Sequence, residues 1–252
     1  MTVHIKEQPA CSALPLWTYG SFDKDALLNQ LYCIPSSQWS EMNATTIHQW
    51  IPEGEQQRAK RFVKKEHQQR FIAGRLALRM LASRILHLPA HMLKLETGKY
   101  RKPFFEISES SDHVHFSLSY SGDWVIIGFD NQPIGIDIES INPAFDVRDM
   151  LDVCCSTEEI MALKLVSPLE QRILFFNLWT RKEALLKWSG KGIGTHLTAF
   201  SVLEGRQALS TDLIGALKGG TLILETHRLL DQAYISIAQS QQSSPKKLVL
   251  WA

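Results

Sequence analysis

The chain of 252 residues is 44% hydrophobic and 21% charged, which is ordinary for a globular protein of one large or two small domains. A formal net charge of +1 argues against a generally basic nucleic-acid-binding protein. No apolar run reaches the roughly 18 residues of a membrane-spanning helix, and the first ten residues lack the apolar centre of a signal peptide. We therefore expect a cytoplasmic protein that binds neither nucleic acid nor membranes.

The cysteines give no sign of a disulfide framework or a zinc site. They contain no CxxC pair, and two of the four are adjacent, a spacing that suits neither structure. We predict free thiols for Cys11, Cys33, Cys154 and Cys155.

The first 15 residues read as loosely structured, and the first clear element is a helix. The spacing of apolar residues from Glu55 to Leu88 is helical, and Pro89 ends it. The apolar stripe consists of Phe62, Ile72, Leu76, Leu78, Met80 and Leu81.

This predicted helix is strongly basic. From Arg58 to Arg84 there are nine lysines and arginines against one acidic residue. Arg58, Arg61 and Lys65 share one face of the helix. The cations could form a solvated face, or they could bind phosphate, for which the forked donors of arginine are well suited.

Three strands are predicted in the middle of the chain. A loop with Gly and Pro, Thr97–Pro103, precedes them. Residues 113–121 and 123–130 are the first two strands, and the chain then turns at Asn131.

The third strand, Ile134–Glu139, alternates apolar and other residues. Asp137 and Glu139 point to the same side, with their Cβ atoms roughly 7 Å apart. Carboxylates this close repel each other unless a cation lies between them, and oxygen ligands suit Mg²⁺. The alternative is an ordinary strand with a solvated acidic face.

Helices dominate the following segment. Val147–Cys155 is predicted as a short helix, and Ser156 with Glu159 has the form of a capping box. Leu169–Trp188 is a long helix on which Trp179, Glu183 and Lys187 recur every fourth residue and so share a face. The glycine-rich stretch 190–194 follows a helix, so it indicates a helix end rather than a dinucleotide site.

Strands are predicted again at 198–204, 221–228 and 233–239, followed by a loose tail at 239–247. Helices followed by strands thus occur twice, at 55–139 and 155–239. The fold class is α+β, with a hint of two similar α/β halves.

Three motifs occur in a fixed order: Gly135–Glu139 (GIDIE), Cys155–Glu159 (CSTEE) and Trp179–Lys187 (WTRKEALLK). The set resembles the signature of the 4′-phosphopantetheinyl transferase superfamily, G-[IV]-D-x-E, [FW]-[SCT]-x-x-E and W-x-x-K-E-[AS]-x-x-K. The resemblance covers about residues 55–205. The upstream segments that resemble the larger, pseudodimeric, surfactin-synthetase-activating class are Lys60–Phe62, Arg70, Gly74, Arg101–Pro103 and Phe116–Trp124.

The resemblance implies a pseudodimer of two similar α/β halves, 1–122 and 123–252, with the active site in the cleft between them. It implies transfer of the phosphopantetheine arm of coenzyme A to a serine of an apo acyl or peptidyl carrier protein, with release of 3′,5′-ADP. Two fused halves favour a functional monomer. A Mg²⁺-dependent phosphohydrolase without a protein acceptor is the first alternative, and a non-catalytic coenzyme A- or carrier-binding module is the second.

The resemblance also assigns roles to the acidic motif residues. Asp137, Glu139 and Glu183 are expected to bind Mg²⁺, and Glu183 is also a candidate general base for the serine proton. A carboxylate that binds Mg²⁺ is a poorer base, so the two roles of Glu183 compete. Lys187 is expected to contact the phosphates; the alternative is a surface lysine that pairs with Glu183.

The resemblance places the 3′-phosphate of coenzyme A on a separate set of residues. Arg58 and Lys102 match the cationic positions, Arg61 lies on the same face as Arg58, and Ser119 matches a serine. Tyr120 replaces a histidine, and Glu55 takes an upstream lysine position. Since Tyr120 carries no charge, we predict weaker discrimination between coenzyme A and its 3′-dephospho form than in histidine-bearing members.

Three further predictions concern the helices after the acidic strand. Glu159 is interpreted as a capping residue, and Trp179 as core packing that orients the helix of Glu183. Val147–Met161 is the predicted docking segment for the carrier protein.

Overall fold

The computed structural model describes residues 4–5, 23–39, 44–100, 102–106, 114–190, 197–203, 207–210, 221–230 and 232–251. Predictions for most of the first 15 residues, for Arg101 and for 191–194 lie outside these ranges. The helices are α1 Lys24–Leu28, α2 Ala44–Trp50, α3 Glu53–Lys60, α4 Lys65–Leu86, α5 Arg148–Cys154, α6 Thr157–Lys164 and α7 Pro168–Ser189. The strands are β1 His4–Ile5, β2 Gln30–Pro35, β3 Lys94–Thr97, β4 Pro103–Glu106, β5 His115–Ser121, β6 Trp124–Asp130, β7 Ile134–Ser140, β8 Gln207–Ser210, β9 Thr221–Leu229, β10 Ala233–Ser240 and β11 Lys247–Leu250.

The contacts divide the chain into two compact units. Unit 1 consists of Met1–Thr97, Pro103–Asn131 and Ser244–Ala252, and unit 2 of Gly98–Lys102 and Gln132–Ser243. We predicted halves at 1–122 and 123–252, and the division in the structure differs. β6 pairs with β5 residue by residue, from Ser121 opposite Trp124 onwards, so the hairpin keeps both strands in unit 1.

Unit 1 is built on a sheet whose described strands have the order β1-β11-β2-β6-β5. The C-terminal strand β11 runs parallel to both β1 and β2, which returns the end of the chain to the first unit. Helix α4 packs against β6 and buries most of its apolar side chains, among them Leu76, Leu78 and Leu81. The core of unit 1 lies between this helix and the sheet.

The long basic helix predicted from Glu55 to Leu88 is two helices, α3 and α4, separated at residues 61–64. The apolar stripe explains the break. Ala59 is the buried residue of α3, and Val63 between the helices is fully exposed, so the core-facing stripe begins only within α4. At the other end, His87 adopts the left-handed conformation that ends the helix.

Unit 2 carries an antiparallel sheet with the order β7-β10-β9-β8 among its described strands. Helix α7 packs across β7 and β10. It begins with the capping box of Ser167 and Glu170 and with Pro168 in its first turn, and it ends at Gly190, which has a φ of 67°. The predicted helix at 169–188 is therefore confirmed.

The C-terminal predictions are partly wrong. The predicted strand at 198–204 is a short 3-10 helix, Leu197–Ala199, followed by irregular chain as far as Leu203. The predicted loose tail holds the end of β10 and the start of β11. The sheet strands predicted at 221–228 and 233–239 are confirmed as β9 and β10.

Two expectations about the chain as a whole can be compared with the structure. Cys33, Cys154 and Cys155 are free thiols, and all three are buried; Cys11 lies outside the described residues. Among the helices that the structure describes, none combines the length and apolarity required to cross a membrane.

Candidate active site

Strand β7 and helix α7 approach each other closely in unit 2, and Gly135 permits the approach. A Cβ atom at Gly135 would lie 1.9 Å from the carbonyl oxygen of Ala184 and 2.3 Å from the backbone nitrogen of Trp188. Both neighbours are backbone atoms of α7, so they cannot move aside as a flexible side chain could. The glycine of the GIDIE motif therefore sets the distance between the two elements.

Asp137 is buried as a result of this packing. Its side of β7 was predicted to be either a metal site or a solvated acidic face, but Asp137 is only 3% exposed. Its Oδ1 atom accepts a hydrogen bond from Nζ of Lys187 at 2.6 Å. Since β7 is covered on the Asp137 face by α7, the half-solvated strand predicted from the alternation is wrong at this position.

Trp179 does more than pack. Its ring stacks on Phe175 with centroids 6.4 Å apart, as predicted for a core residue. Its indole Nε1 also donates a hydrogen bond to Oε1 of Glu139 at 3.3 Å. Trp179 and Lys187, on one face of α7, thus contact the two carboxylates of β7. The spacing of Trp179, Glu183 and Lys187 in the sequence did not reveal these two contacts.

Glu183 lies one turn before Lys187 on α7. Burial raises the pKa of its carboxyl to about 7; Asp137 and Glu139 raise it further, while Lys187 opposes the shift. Its Oε1 atom is buried and has no hydrogen-bond partner among the described residues. The three acidic residues predicted to act together are therefore close enough to repel one another electrostatically.

Two lysines flank this acidic group. Lys187 forms a 2.6 Å ion pair with Asp137, and its charge also lowers the pKa of Glu183, so the alternative pair with Glu183 stays a prediction. Nζ of Lys102 donates to the carbonyl oxygen of Ile134, the first residue of β7, at 3.0 Å. Burial, followed by repulsion from Lys187, lowers the pKa of Lys102 to about 8. A bound anion would relieve this repulsion.

The fit of a divalent cation can be tested on these side chains. Within the described ranges, no group of three or more His, Cys, Asp or Glu side chains is arranged to hold a metal ion. The donor chemistry nevertheless fits Mg²⁺, because Asp137, Glu139 and Glu183 offer only oxygen ligands. The buried, unpartnered Oε1 of Glu183 is the atom that a cation would satisfy.

Glu159 and Lys182 form a separate, structural ion pair in unit 2. Glu159 closes the capping box of α6 with Ser156, so the predicted capping role is confirmed. Its carboxylate also accepts from Nζ of Lys182 at 2.6 Å and from the backbone nitrogen of Val202 at 2.8 Å. Nζ of Lys182 further donates to the carbonyl oxygens of Cys154, Leu197 and Phe200.

The cations between Arg58 and Arg84 in unit 1 have different surroundings. Arg79 is buried and pairs with Glu55 at 3.1 Å, and it also donates to the carbonyl oxygens of Ala90 and Leu93. Arg79 is therefore structural, and Glu55, in the upstream position expected for a lysine, is its partner. Arg61 is exposed at the end of α3.

Another group of cations surrounds Tyr120 on β5. Burial raises the pKa of the Tyr120 hydroxyl, while Arg75, Arg58 and Arg70 oppose the shift. The guanidinium carbons of Arg58 and Arg75 lie 5.3 and 5.1 Å from the centre of the Phe71 ring. Sequence reasoning named Arg58 and Tyr120 as site residues and included Arg75 only among the nine cations from Arg58 to Arg84.

Ser119 precedes Tyr120 in β5 and pairs with Ile126 of β6. Its side chain is buried. Its predicted role toward a 3′-phosphate stays a prediction.

Two family models match the chain in tandem. The model described as 4′-phosphopantetheinyl transferase, N-terminal, matches residues 37–131, and the model of the 4′-phosphopantetheinyl transferase superfamily matches residues 133–238. Their junction coincides with the boundary between unit 1 and unit 2 at Asn131 and Gln132. The chain belongs to the 4′-phosphopantetheinyl transferase superfamily.

Curated relatives carry the same family name. The chain is 35% identical over 153 residues to 4′-phosphopantetheinyl transferase Sfp of Bacillus subtilis (strain 168), covering 61% of this chain and 66% of the relative. It is 34% identical over 136 residues to 4′-phosphopantetheinyl transferase AcpT of Salmonella typhimurium, covering 54% and 68%.

A third relative, 4′-phosphopantetheinyl transferase psf-1 of Bacillus pumilus, is 37% identical over 133 residues, which is 52% of this chain and 54% of the relative. The match to Sfp, and the match to a second Bacillus subtilis transferase at 63% of its length, span slightly less than two thirds of those proteins. Both Bacillus subtilis relatives are named as 4′-phosphopantetheinyl transferases, the superfamily that the motifs predicted.

Proposed function

We propose that the protein transfers the 4′-phosphopantetheine arm of coenzyme A to a serine hydroxyl of an apo acyl or peptidyl carrier protein. The observation that carries the proposal is the group of acidic and basic side chains on β7 and α7. Asp137, Glu139 and Glu183 lie there near Lys187. All four residues belong to the two signature motifs within the region that matches the superfamily model.

The reaction replaces a phosphoanhydride bond with a phosphate ester bond. The serine oxygen attacks the β-phosphorus of coenzyme A and forms a new P–O bond. The bond from that phosphorus to the oxygen bridging the two phosphates breaks, and its electron pair leaves with 3′,5′-ADP. The serine proton must be taken up by a base.

This step requires positive charge beside the pyrophosphate, because the pyrophosphate is anionic and further negative charge develops on the bridging oxygen. Lys187 would hold the pyrophosphate oxygens through its ammonium group, whereas Lys102 is assigned to the 3′-phosphate. Asp137, Glu139 and Glu183 would hold Mg²⁺, which supplies positive charge to the phosphate oxygens when it is bound. The Lys187 ammonium already occupies Oδ1 of Asp137, so a metal ion would compete with it.

The two roles expected of Glu183 can be separated by substitution. Glu183→Gln keeps an oxygen that can bind a metal but cannot take up a proton at neutral pH. We expect it to lower transfer by roughly 10²- to 10⁴-fold while weakening Mg²⁺ binding less than Glu183→Ala does. Unchanged transfer by Glu183→Gln would rule out the base role, and unchanged Mg²⁺ affinity in Glu183→Ala would rule out the metal role.

The predicted carrier-docking segment, Val147–Met161, presents two exposed apolar side chains. Val153 is 63% exposed and Met161 is 54% exposed, whereas Met150 and Ile160 pack against the core of unit 2. Val153→Asp and Met161→Asp therefore test docking without disturbing the core. We expect both to raise KM for the carrier protein, with Met92→Asp, exposed in unit 1, as the matched control.

The decisive experiment is mass spectrometry of a purified apo carrier protein after incubation with coenzyme A and Mg²⁺. We expect the wild type to add one phosphopantetheine and Asp137→Ala to add none. Several unmodified apo carriers in the presence of wild-type protein would refute the proposal. The phosphohydrolase alternative is not favoured, because the curated relatives are named as transferases; release of phosphate from coenzyme A without a carrier would revive it.

A further inference from the structure

Three hydroxyl groups form a continuous network between α7 and the sheet of unit 2. Asp137 of β7, Ser236 of β10 and Thr226 of β9 stand opposite one another in the strand register. Oγ1 of Thr226 lies 2.9 Å from Oγ of Ser236, which in turn lies 3.0 Å from Oγ1 of Thr180 on α7. The row of side chains that begins with Asp137 therefore continues as hydroxyl groups across the sheet.

The two ends of this hydroxyl network fix the direction of each hydrogen bond within it. At one end, Oγ1 of Thr180 donates its single proton to the backbone carbonyl oxygens one turn earlier in α7, at 2.9 and 3.0 Å. Ser236 must therefore donate to Thr180, and Thr226 must donate to Ser236. At the other end, Nη1 of Arg181 donates to Oγ1 of Thr226 at 3.1 Å. Because arginine has donors only, every hydroxyl proton has a defined acceptor.

The hydroxyl network attaches α7 to the sheet in the middle of the candidate site. Thr180 and Arg181 lie between Trp179 and Glu183 in the sequence, and they are 0% and 1% exposed. Thr180 is bound to β10 and Arg181 to β9, and Nε of Arg181 also donates to the carbonyl oxygen of Val202 at 2.6 Å. Successive residues of a helix point about 100° apart, so these attachments fix the rotation of α7 about its axis.

The contacts of the candidate site depend on this rotation. Trp179 donates to Glu139 at 3.3 Å, and Lys187 donates to Asp137 at 2.6 Å. Both are contacts from side chains of α7 to side chains of β7, so a rotation of α7 changes their distances and angles. Hydrogen bonds weaken steeply when their angle departs from the optimum. The orientation of the two carboxylates therefore depends on how α7 is held.

We propose that the hydroxyl network and the arginine at its start position α7 for the transfer reaction. The positioning residues are Thr180, Arg181, Thr226 and Ser236. They act through Trp179 and Lys187, whose contacts with the carboxylates of β7 require one rotation of α7. The reaction named in this inference rests on the proposed function, whereas the positioning of α7 does not.

Thr226→Val tests the inference in the transfer assay, because it replaces the hydroxyl that links Arg181 to Ser236 with a methyl group. We expect kcat to fall by roughly tenfold or more and KM for the carrier protein to stay unchanged, since the predicted docking segment lies on α5 and α6. Thr226→Ser retains the hydroxyl and should restore most of kcat. Thr221→Val, the same substitution at an exposed position of β9, is the matched control and should change neither constant.

The indole N–H resonance of Trp179 reports the position of α7 without any substrate. It can be assigned in proton–nitrogen correlation spectra by its disappearance in Trp179→Phe. The hydrogen bond to Glu139 should hold this resonance at low field in the wild type and in Thr226→Ser, and Thr226→Val should move it to higher field. A network that only stabilised the fold would lower the unfolding temperature of Thr226→Val and leave the resonance of the folded protein in place.

The outcomes separate this inference from the proposed function. An unchanged Trp179 resonance in Thr226→Val overturns the inference, and so does a loss of kcat in Thr226→Ser as large as that in Thr226→Val. If Thr226→Val does not fold, Ser236→Ala, which removes the middle hydroxyl, gives the same comparison. A shifted resonance in Thr226→Val, in a protein whose wild type modifies no carrier, would refute the proposed function and leave the positioning of α7 supported.

Discussion

Lys182 and Arg75 are both buried cations, each on a helix of 22 residues, α7 in unit 2 and α4 in unit 1. Their surroundings are opposite. Nζ of Lys182 has a carboxylate, that of Glu159, and three carbonyl oxygens as acceptors. Two of the nitrogens of Arg75 have no acceptor among the described residues.

The acceptors around a buried cation identify a structural charge better than its burial does. Lys182 lies in the WTRKEALLK motif beside the proposed catalytic Glu183, yet its hydrogen bonds among the described residues join segments of its own unit. Arg79 of α4 belongs with Lys182, because Glu55 and two carbonyl oxygens satisfy it. A buried cation whose donors all have acceptors stabilises the fold. A buried cation whose donors lack acceptors lowers stability unless a bound ligand supplies the acceptors.

Lys182→Met should give the largest effect on stability. It leaves Glu159 as an uncompensated buried charge, which costs about 3–5 kcal/mol when one partner of a buried pair is removed. The free energy of unfolding from urea titration, followed by circular dichroism, measures this loss. Lys164→Met, at an exposed position of α6, is the control. A loss below about 1 kcal/mol would contradict the structural assignment of Lys182.

Gly135→Ala should give the next largest effect. The added methyl group meets backbone atoms of Ala184 and Trp188, so β7 and α7 must separate, at a cost of about 1–3 kcal/mol for overpacking. The Lys187–Asp137 pair spans the same two elements, so transfer activity should fall as well. Urea unfolding and the mass-spectrometric transfer assay measure the two losses.

Gly54→Ala is the matched control for this substitution. Gly54 lies in α3, and a Cβ atom there would meet nothing within 4 Å. Alanine in a helix should therefore stabilise the protein by roughly 0.5–1 kcal/mol. If Gly135→Ala behaved like Gly54→Ala, the close packing of β7 on α7 would not be required for the site.

Local patterns in the sequence were sufficient for several elements of the fold and of the site. The alternation of Ile134, Ile136 and Ile138 gave β7, and the Ser156–Glu159 spacing gave the capping box. These features depend on neighbours in the chain, and the sequence contains them directly. The common face of Trp179, Glu183 and Lys187 followed from helical spacing in the same way.

Partners that are distant in the chain could not be predicted. The indole of Trp179 contacts Glu139, and Lys187 contacts Asp137, because α7 crosses β7 at the short distance that Gly135 allows. In unit 1, counting nine cations could not show that Arg79 is neutralised by Glu55 while Arg75 is not. Gly135 was a signal that could have indicated the close approach of β7 and α7.

Lys102→Met should give the smallest effect, with the opposite sign. The pKa of Lys102 is lowered from its ordinary value to about 8 by burial and by Lys187, so the folded protein holds this proton less tightly than the unfolded chain. Below about pH 8 the charged lysine costs stability, and the cost disappears as the pH rises toward 10.5. At pH 7 the variant should therefore be about 1 kcal/mol more stable than the wild type.

The pH dependence distinguishes this cost from a simple packing effect. The stability difference between Lys102→Met and the wild type should shrink between about pH 8 and pH 10.5, because only the wild type gains from losing the proton. Urea unfolding at several pH values measures this difference, with Lys94→Met, at an exposed position of β3, as the control. A constant difference for Lys102→Met would mean that its charge is not penalised in the fold. Lys102 would then belong with Lys182 and Arg79 rather than with Arg75.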